Sequence, residues 1–266
     1  MASRTKQKEE ARARRLAEER TRAEQARRQR RTQLLAGVLV GAVIVVVVAI
    51  IVSSSGGGTK TIAPNSAAAK QQASTVSGLL SGVPQSGVTL GSSKAPVTVT
   101  EFGDLECSHC QDFALHAETQ LIANDVRAGK VKLVFRSLET ASGANPDQNA
   151  FANQQAAAYA AGRQGKAWDY ILIFYREQGQ EGTAYVTPRF LNGIASQIPG
   201  LNYSDWLTQS KNPAYANQVI SDERTAQSLG LSATPAILVQ GPKGQAPPIN
   251  GVVDYSTLKT AIKSVE

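Results

Sequence analysis

From residue 88 onward the 266-residue chain predicts an α/β domain, and a single N-terminal transmembrane helix is predicted ahead of it. Three observations carry this. Runs rich in β-branched residues, PVTVTEF at 96–102, KVKLVFR at 130–136 and PAILVQ at 235–240, read as strands. Stretches of helical apolar spacing lie between and after them, the order of a mixed sheet with helices packed on it. Residues 34–52, LLAGVLVGAVIVVVVAIIV, are nineteen positions without a polar or charged side chain. As a helix they span about 28 Å, close to the hydrocarbon thickness of a bilayer.

Residues 1–33 carry twelve Lys and Arg against five Glu, so this segment alone holds +7, the net charge of the whole chain. The remaining 16 basic and 16 acidic residues cancel. That argues against a nucleic-acid-binding domain after residue 33 and reads as a charged tail; adhesion to anionic lipid is the sharper alternative. Arg27, Arg28, Arg30 and Arg31 abut the apolar run, whereas Ser53–Gly58 follow it. The positive-inside rule then places the tail in the cytoplasm and everything after residue 52 outside, at the cell membrane. A cleaved signal peptide competes with this reading, against which stand the long apolar run and the long basic region. Residues 53–87, rich in Gly, Ser, Ala and Gln, read as a flexible linker with a mean reach of about 30–35 Å.

Within the domain, 96–102 is a strand and Asp104–Cys110 a turn. Cys110 to about Arg127 is a helix, with Phe113, Ala114, Ala117, Leu121 and Ile122 on one face. A second strand follows at 130–136, then a loop over 139–149. Residues 151–229 are helical with breaks at Gly162, Gly179, Pro188, Pro199 and Pro213. A strand at 235–240, a short one at 249–253 and a terminal helix over 256–265 complete the domain.

The chain has two cysteines, Cys107 and Cys110, and two histidines, His109 and His116. That excludes a multi-bridge framework and a four-ligand structural zinc site built from this chain alone. The C-x-x-C pair falls after a strand and at the first turn of a helix. Free backbone N–H groups there and the helix dipole favour a thiolate. Cys107 is expected at the N-cap, facing solvent, as the attacking and leaving sulfur. Cys110, one turn in, is expected to be more covered and to act as the resolving thiol. His109, as imidazolium or hydrogen-bond donor, is expected to stabilise the Cys107 thiolate; a solvent-facing loop histidine is the plainer reading. A lowered thiolate pKa destabilises the disulfide relative to the dithiol, the property of a disulfide donor. A structural disulfide, half a zinc site shared with a partner chain and an inert pair are the alternatives. His116 reads as a helix-surface residue.

Ser232-Ala-Thr-Pro235 opens the strand at 236–239. With a cis Thr234–Pro235 bond, the Pro would lie against the dithiol and leave the Thr234 backbone free to pair with an extended substrate peptide. An ordinary strand-initiating Pro is the alternative.

Several segments together resemble the DsbA-type thioredoxin-fold family of extracytoplasmic thiol:disulfide oxidoreductases. They are Leu90-Gly91 with Ala95-Pro96-Val97, Glu101-Phe102-Gly103-Asp104, Cys107-Ser-His-Cys110, the run from Ala157 through Gln164-Gly165-Lys166 to Trp168, and Leu229–Pro235. The resemblance covers about 88–266. It implies a thioredoxin fold with an α-helical insertion at about 146–229, a cis Pro235 and oxidation of substrate proteins. The redox-active Cys107–Cys110 pair would stand in place of a cofactor. The resemblance also puts Glu101 at the family's buried acid position, relaying the proton of Cys110; an exposed strand-edge acid is the alternative. Ser108 stands where Pro is common, Ala233 where Gly is frequent, and Gly241–Pro248 is longer than a tight turn.

The reading is a membrane-tethered disulfide donor to reduced secreted or surface proteins, without a metal or nucleic-acid partner. Reoxidation by a quinone-linked membrane partner is implied by the resemblance. A reductase or isomerase using the same dithiol, and a non-catalytic membrane-anchored binding module, are the alternatives.

Overall fold

The computed structural model describes residues 66–266; the basic tail, the apolar run and the first part of the expected linker lie outside the described residues. Among the described residues no helix is long and apolar enough to cross a membrane.

The elements in chain order are α1 (Ala67–Leu80), β1 (Gln85–Ser86), β2 (Thr89–Leu90), β3 (Val97–Gly103), a long helix α2 over residues 108–126, and β4 (Val131–Ser137). Five helices follow: α3 (Ala150–Gly162), α4 (Ala167–Glu177), α5 (Pro188–Gln197), α6 (Tyr203–Gln209) and α7 (Pro213–Ser228). β5 (Ala236–Gly241), β6 (Gly244–Gln245), β7 (Ile249–Asn250) and α8 (Tyr255–Val265) close the chain. The sheet order is β1-β2-β4-β3-β5-β6, with β7 also paired to β5. β3 runs parallel to β4, which the intervening helix α2 requires, and antiparallel to β5. The α-helical insertion lies between β4 and β5, as expected.

The helix breaks have local causes. Pro188 and Pro213 each occupy a first helical position, where the missing N–H costs nothing, behind the side-chain caps Thr187 and Asn212. Asn202 and Asp254 cap α6 and α8 in the same way. α4 is buried nearly all round, from Trp168 to Tyr175, which marks it as the hub of the insertion. The specific run before it is structural: the Trp168 indole donates to the Val88 carbonyl at 3.0 Å, and Gln85 donates to Asp169 at 2.7 Å.

Two expectations need correction. Residues 67–87, part of the expected linker over 53–87, are not linker. Ala69, Ala73, Val76 and Leu80, spaced four, three and four apart, form a buried stripe on α1, which packs against α4 and α5. Ser66 accepts from the Ala69 N–H, and Arg127 donates to the Leu79 and Ser81 carbonyls at 2.6 Å each, so both ends of α1 are satisfied. Small residues in this stripe disguise it as low-complexity sequence. β2 then joins the free edge of β4, pairing Thr89 with Val134 and Leu90 with Leu133. The segment after β5 is also tighter than expected. Gly241 pairs with Gly244 across a two-residue turn, and the strand expected at 249–253 shortens to Ile249–Asn250.

Leu80→Ala is expected to lower the stability of the domain by about 2–3 kcal/mol in urea unfolding, because it opens a cavity under α1. A change below about 0.5 kcal/mol, the level of an exposed site, would return 67–80 to the linker.

Candidate active site

β3 ends at Gly103, and the chain turns through Asp104 into α2. Cys107 is the N-cap residue of α2, with φ −72° and ψ 121°, and Ser108, His109 and Cys110 form its first turn. The turn is held from below. Buried Asp104 accepts the Glu106 N–H at 3.0 Å, the Thr140 N–H at 2.9 Å, the Ser142 N–H at 2.8 Å and the Ser142 hydroxyl at 2.5 Å. Buried Glu106 accepts from Asn145 at 2.7 Å. Two carboxylates thus satisfy the loop's donors and lock the residues on which the dithiol stands.

Both cysteines are unbridged thiols. Cys110 is fully buried; Cys107 is 5% exposed, where the sequence had it facing solvent. The cover comes from two loops. The Thr234–Pro235 bond is cis, and the Thr234 carbonyl lies 3.5 Å from Cys107 Sγ as acceptor of its thiol. From the other side Gln178 donates to the Leu105 carbonyl at 2.7 Å and the Cys107 carbonyl at 3.1 Å.

The thiolate is favoured at Cys107, whose pKa falls to about 6. The Cys110 thiol donating to it is the largest cause, and burial opposes it. The Thr234 hydroxyl and the backbone N–H groups of Cys110 and His109 add to it. Cys110 moves the other way: burial, then the neighbouring Cys107 sulfur and Glu101 carboxylate, push it up. The two sulfurs therefore hold different protonation states at neutral pH, a thiolate outside and a thiol inside.

His109 departs from its expected role. Its side chain is exposed and makes no hydrogen bond among the described residues; its contribution to Cys107 is its backbone N–H. His116 is on the helix surface as read, 3.0 Å from Asp112.

Glu101 is fully buried, and the register explains why an edge position is impossible. β3 is central, and Glu101 pairs with Phe135 on one side and Ile237 on the other. Its neighbour in the core is Glu118, one helical face along α2, also fully buried. None of the four oxygens of these carboxyls has a hydrogen-bond partner among the described residues. Burial, then the charge of Glu118, pushes Glu101 well up; burial pushes Glu118 to about 7. Gly103 permits this crowding: a Cβ there would lie 2.7 Å from the Phe135 ring, 3.0 Å from Glu101 Oε1 and 3.2 Å from the Tyr175 hydroxyl.

Sequence reasoning therefore placed Cys107, Cys110, Glu101, Thr234 and Pro235, and the structure brings all five together. It missed Glu118, whose signal was an acid inside the apolar stripe between Ala114 and Leu121. It also missed Asp104 and Glu106, which read as ordinary turn residues.

A strand–dithiol–helix turn facing a cis-Pro loop, with a helical insertion between β4 and β5, defines a DsbA-like thiol:disulfide oxidoreductase. A family model described as Thioredoxin matches residues 84–264, and the chain belongs to that family. Among curated proteins, the probable disulfide bond formation protein D of Bacillus anthracis is 26% identical over 175 residues, covering 65% of this chain and 76% of the relative. Disulfide bond formation protein D of Bacillus subtilis is 25% identical over 174 residues, covering 65% and 74%. The crystal structure of oxidised BdbD from Bacillus subtilis matches with a TM-score of 0.57 at 23% identity, over 68% of this chain and 96% of that one. That of DsbA2 from Pseudomonas aeruginosa matches with a TM-score of 0.54 at 25% identity, over 70% and 97%.

Two titrations check the site. The far-ultraviolet absorbance of the Cys107 thiolate is expected to appear with a midpoint near pH 6 and to vanish in Cys107→Ser. Glu118 binds its proton more tightly folded than unfolded, so stability is present below its ordinary pKa and falls as pH rises through about 7. Glu118→Gln is therefore expected to flatten the fall in melting temperature between about pH 5 and pH 8. An unchanged slope would show that Glu118 does not titrate in that range.

Proposed function

We propose that the protein is a membrane-tethered, extracytoplasmic disulfide donor, passing the Cys107–Cys110 disulfide to reduced secreted or surface proteins. The observation that carries the direction is the set of donors gathered on Cys107 Sγ, from the Cys110 thiol, the Thr234 hydroxyl and the Cys110 and His109 N–H groups, which lowers its pKa. These hydrogen bonds stabilise a thiolate that exists only in the dithiol form, which favours giving the disulfide away. The printed names of the Bacillus relatives, disulfide bond formation protein D, support the same direction.

In the donating step a substrate thiolate attacks Cys107 Sγ, and the Cys107–Cys110 bond breaks. Its electron pair leaves on Cys110, which is buried and takes up a proton. Glu101, protonated and within reach of Cys110's field, supplies that proton, and Glu118 shares the charge left behind. A second substrate thiolate then attacks the substrate sulfur of the mixed disulfide and expels the Cys107 thiolate. The substrate loses two electrons and the dithiol gains them. Thr234, whose N–H has no partner among the described residues, is positioned to pair with the extended substrate backbone. Reoxidation falls to a membrane partner, for which a quinone-linked oxidase is the fitting class. The apolar run at 34–52 and the one-sided charge of 1–33 support the tether and its orientation.

The full chain, equilibrated with glutathione, is expected to show a reduction potential above roughly −200 mV; a value near the ~−270 mV of thioredoxin would overturn the donor direction. Cys110→Ala is expected to accumulate mixed disulfides with cell-surface proteins. Protease treatment of intact cells is expected to reach the domain and spare residues 1–33; the reverse result would overturn the orientation.

A further inference from the structure

The first turn of α2 offers three backbone N–H groups beside Cys107, those of Ser108, His109 and Cys110. Two serve the sulfur: the His109 and Cys110 N–H groups both favour its thiolate. The third does not. The Ser108 N–H donates to Glu181 Oε2 at 3.2 Å, and the Ser108 hydroxyl donates to the same oxygen at 3.0 Å.

Glu181 is exposed, yet the loop that carries it is tied down. Gln178 is bonded to the Leu105 and Cys107 carbonyls on the dithiol turn itself. Gly179 lies flat on Tyr185, where a Cβ would come within 2.5 Å of the ring. The Thr183 hydroxyl donates to the Gln180 carbonyl at 2.6 Å, and Asn145 donates to the Thr183 carbonyl at 3.2 Å. Among the described residues Glu181 forms no ion pair, so its charge is not cancelled locally.

We infer that Glu181 is a positioning residue that moderates the oxidising power of the dithiol, by holding a negative charge, through its two hydrogen bonds from Ser108, on the residue next to Cys107. That charge makes the thiolate less favourable than the His109 and Cys110 N–H groups and the Cys110 thiol would leave it, and so holds the disulfide closer in energy to the dithiol. The arrangement depends on Ser108. A Pro at that position has neither N–H nor hydroxyl and cannot engage Glu181. The inference rests on the reading of Cys107 as the reactive sulfur of a disulfide donor.

The test is the pH titration of the Cys107 thiolate in the full-length dithiol protein, with the glutathione equilibrium as second readout. Glu181→Gln keeps an acceptor for Ser108 and removes the charge. It is expected to shift the thiolate equilibrium by roughly threefold toward thiolate, the size of an exposed charge effect, and more at low than at high salt. The glutathione equilibrium should move by the same factor toward the dithiol, about 14 mV for a two-electron couple. In a Ser108→Pro background the same substitution should have less than half that effect. An unchanged or raised midpoint in Glu181→Gln overturns the inference, as does an undiminished effect in Ser108→Pro. The titration does not depend on the direction of electron flow. A wild-type potential as reducing as thioredoxin, accompanied by the expected Glu181 shift, would overturn the donor reading alone and leave the role of Glu181 standing.

Discussion

A sulfur that holds negative charge at the margin of a hydrophobic core needs donors in fixed positions, and the fold is arranged around meeting that need at Cys107. The donors come from separate places in the chain: the Cys110 thiol, the first backbone N–H groups of α2, and the Thr234 hydroxyl. Thr234 is far from Cys107 in sequence and reaches it because β5 pairs with β3, which leads into the dithiol turn. Sheet order is thus what completes the sulfur's surroundings. The same donors have nothing to bind once the sulfur is in a disulfide, so the stabilisation belongs to one redox state. This asymmetry turns packing geometry into a direction for electron flow.

The inner half of the site follows the opposite logic. Cys110, Glu101 and Glu118 are all fully buried, and among the described residues neither carboxyl forms a salt bridge. Burial favours the protonated form of each, which costs stability as pH rises. Two carboxyl groups whose oxygens lack hydrogen-bond partners among the described residues are costly in a core. The separation is sharp along one turn of helix: charge is favoured at Cys107 and excluded at Cys110.

The helical insertion and α1 are the scaffold for this. α4 packs its aromatic residues into one core, and from its end the loop carrying Gln178 and Glu181 returns to the dithiol turn. Asp222 on α7 accepts from Arg136 at 2.7 Å and from the Tyr159 hydroxyl at 2.5 Å, tying the insertion to β4. Hydrogen bonds linking Gln178 and Glu181 to the dithiol turn hold the loop against it.

Much of this was legible in the residues. Alternating β-branched runs and apolar helical spacing located β3, β4, β5, α2 and the insertion, because each rests on a local period. Pro188 and Pro213 marked breaks in the helical insertion, which the structure shows to be the starts of α5 and α7. The C-x-x-C spacing and Thr-Pro before a strand located the reactive residues. What sequence alone concealed were features set by distant neighbours. α1 was hidden because its stripe is half alanine, and only contact with α4 and α5 gives small residues something to bury against. Glu118 drew no reading and Asp104 fell within a turn, because burial is a property of the whole fold. Solvent access at Cys107 was misjudged because its cover arrives from loops at 178–186 and 232–235. The sequence by itself determined the main elements from β3 onward, the dithiol and the charge asymmetry of the first 33 residues, since all three are written in neighbouring residues. Tertiary structure alone decided which side chains share one sulfur's field, since electrostatics and burial act through space and not along the chain.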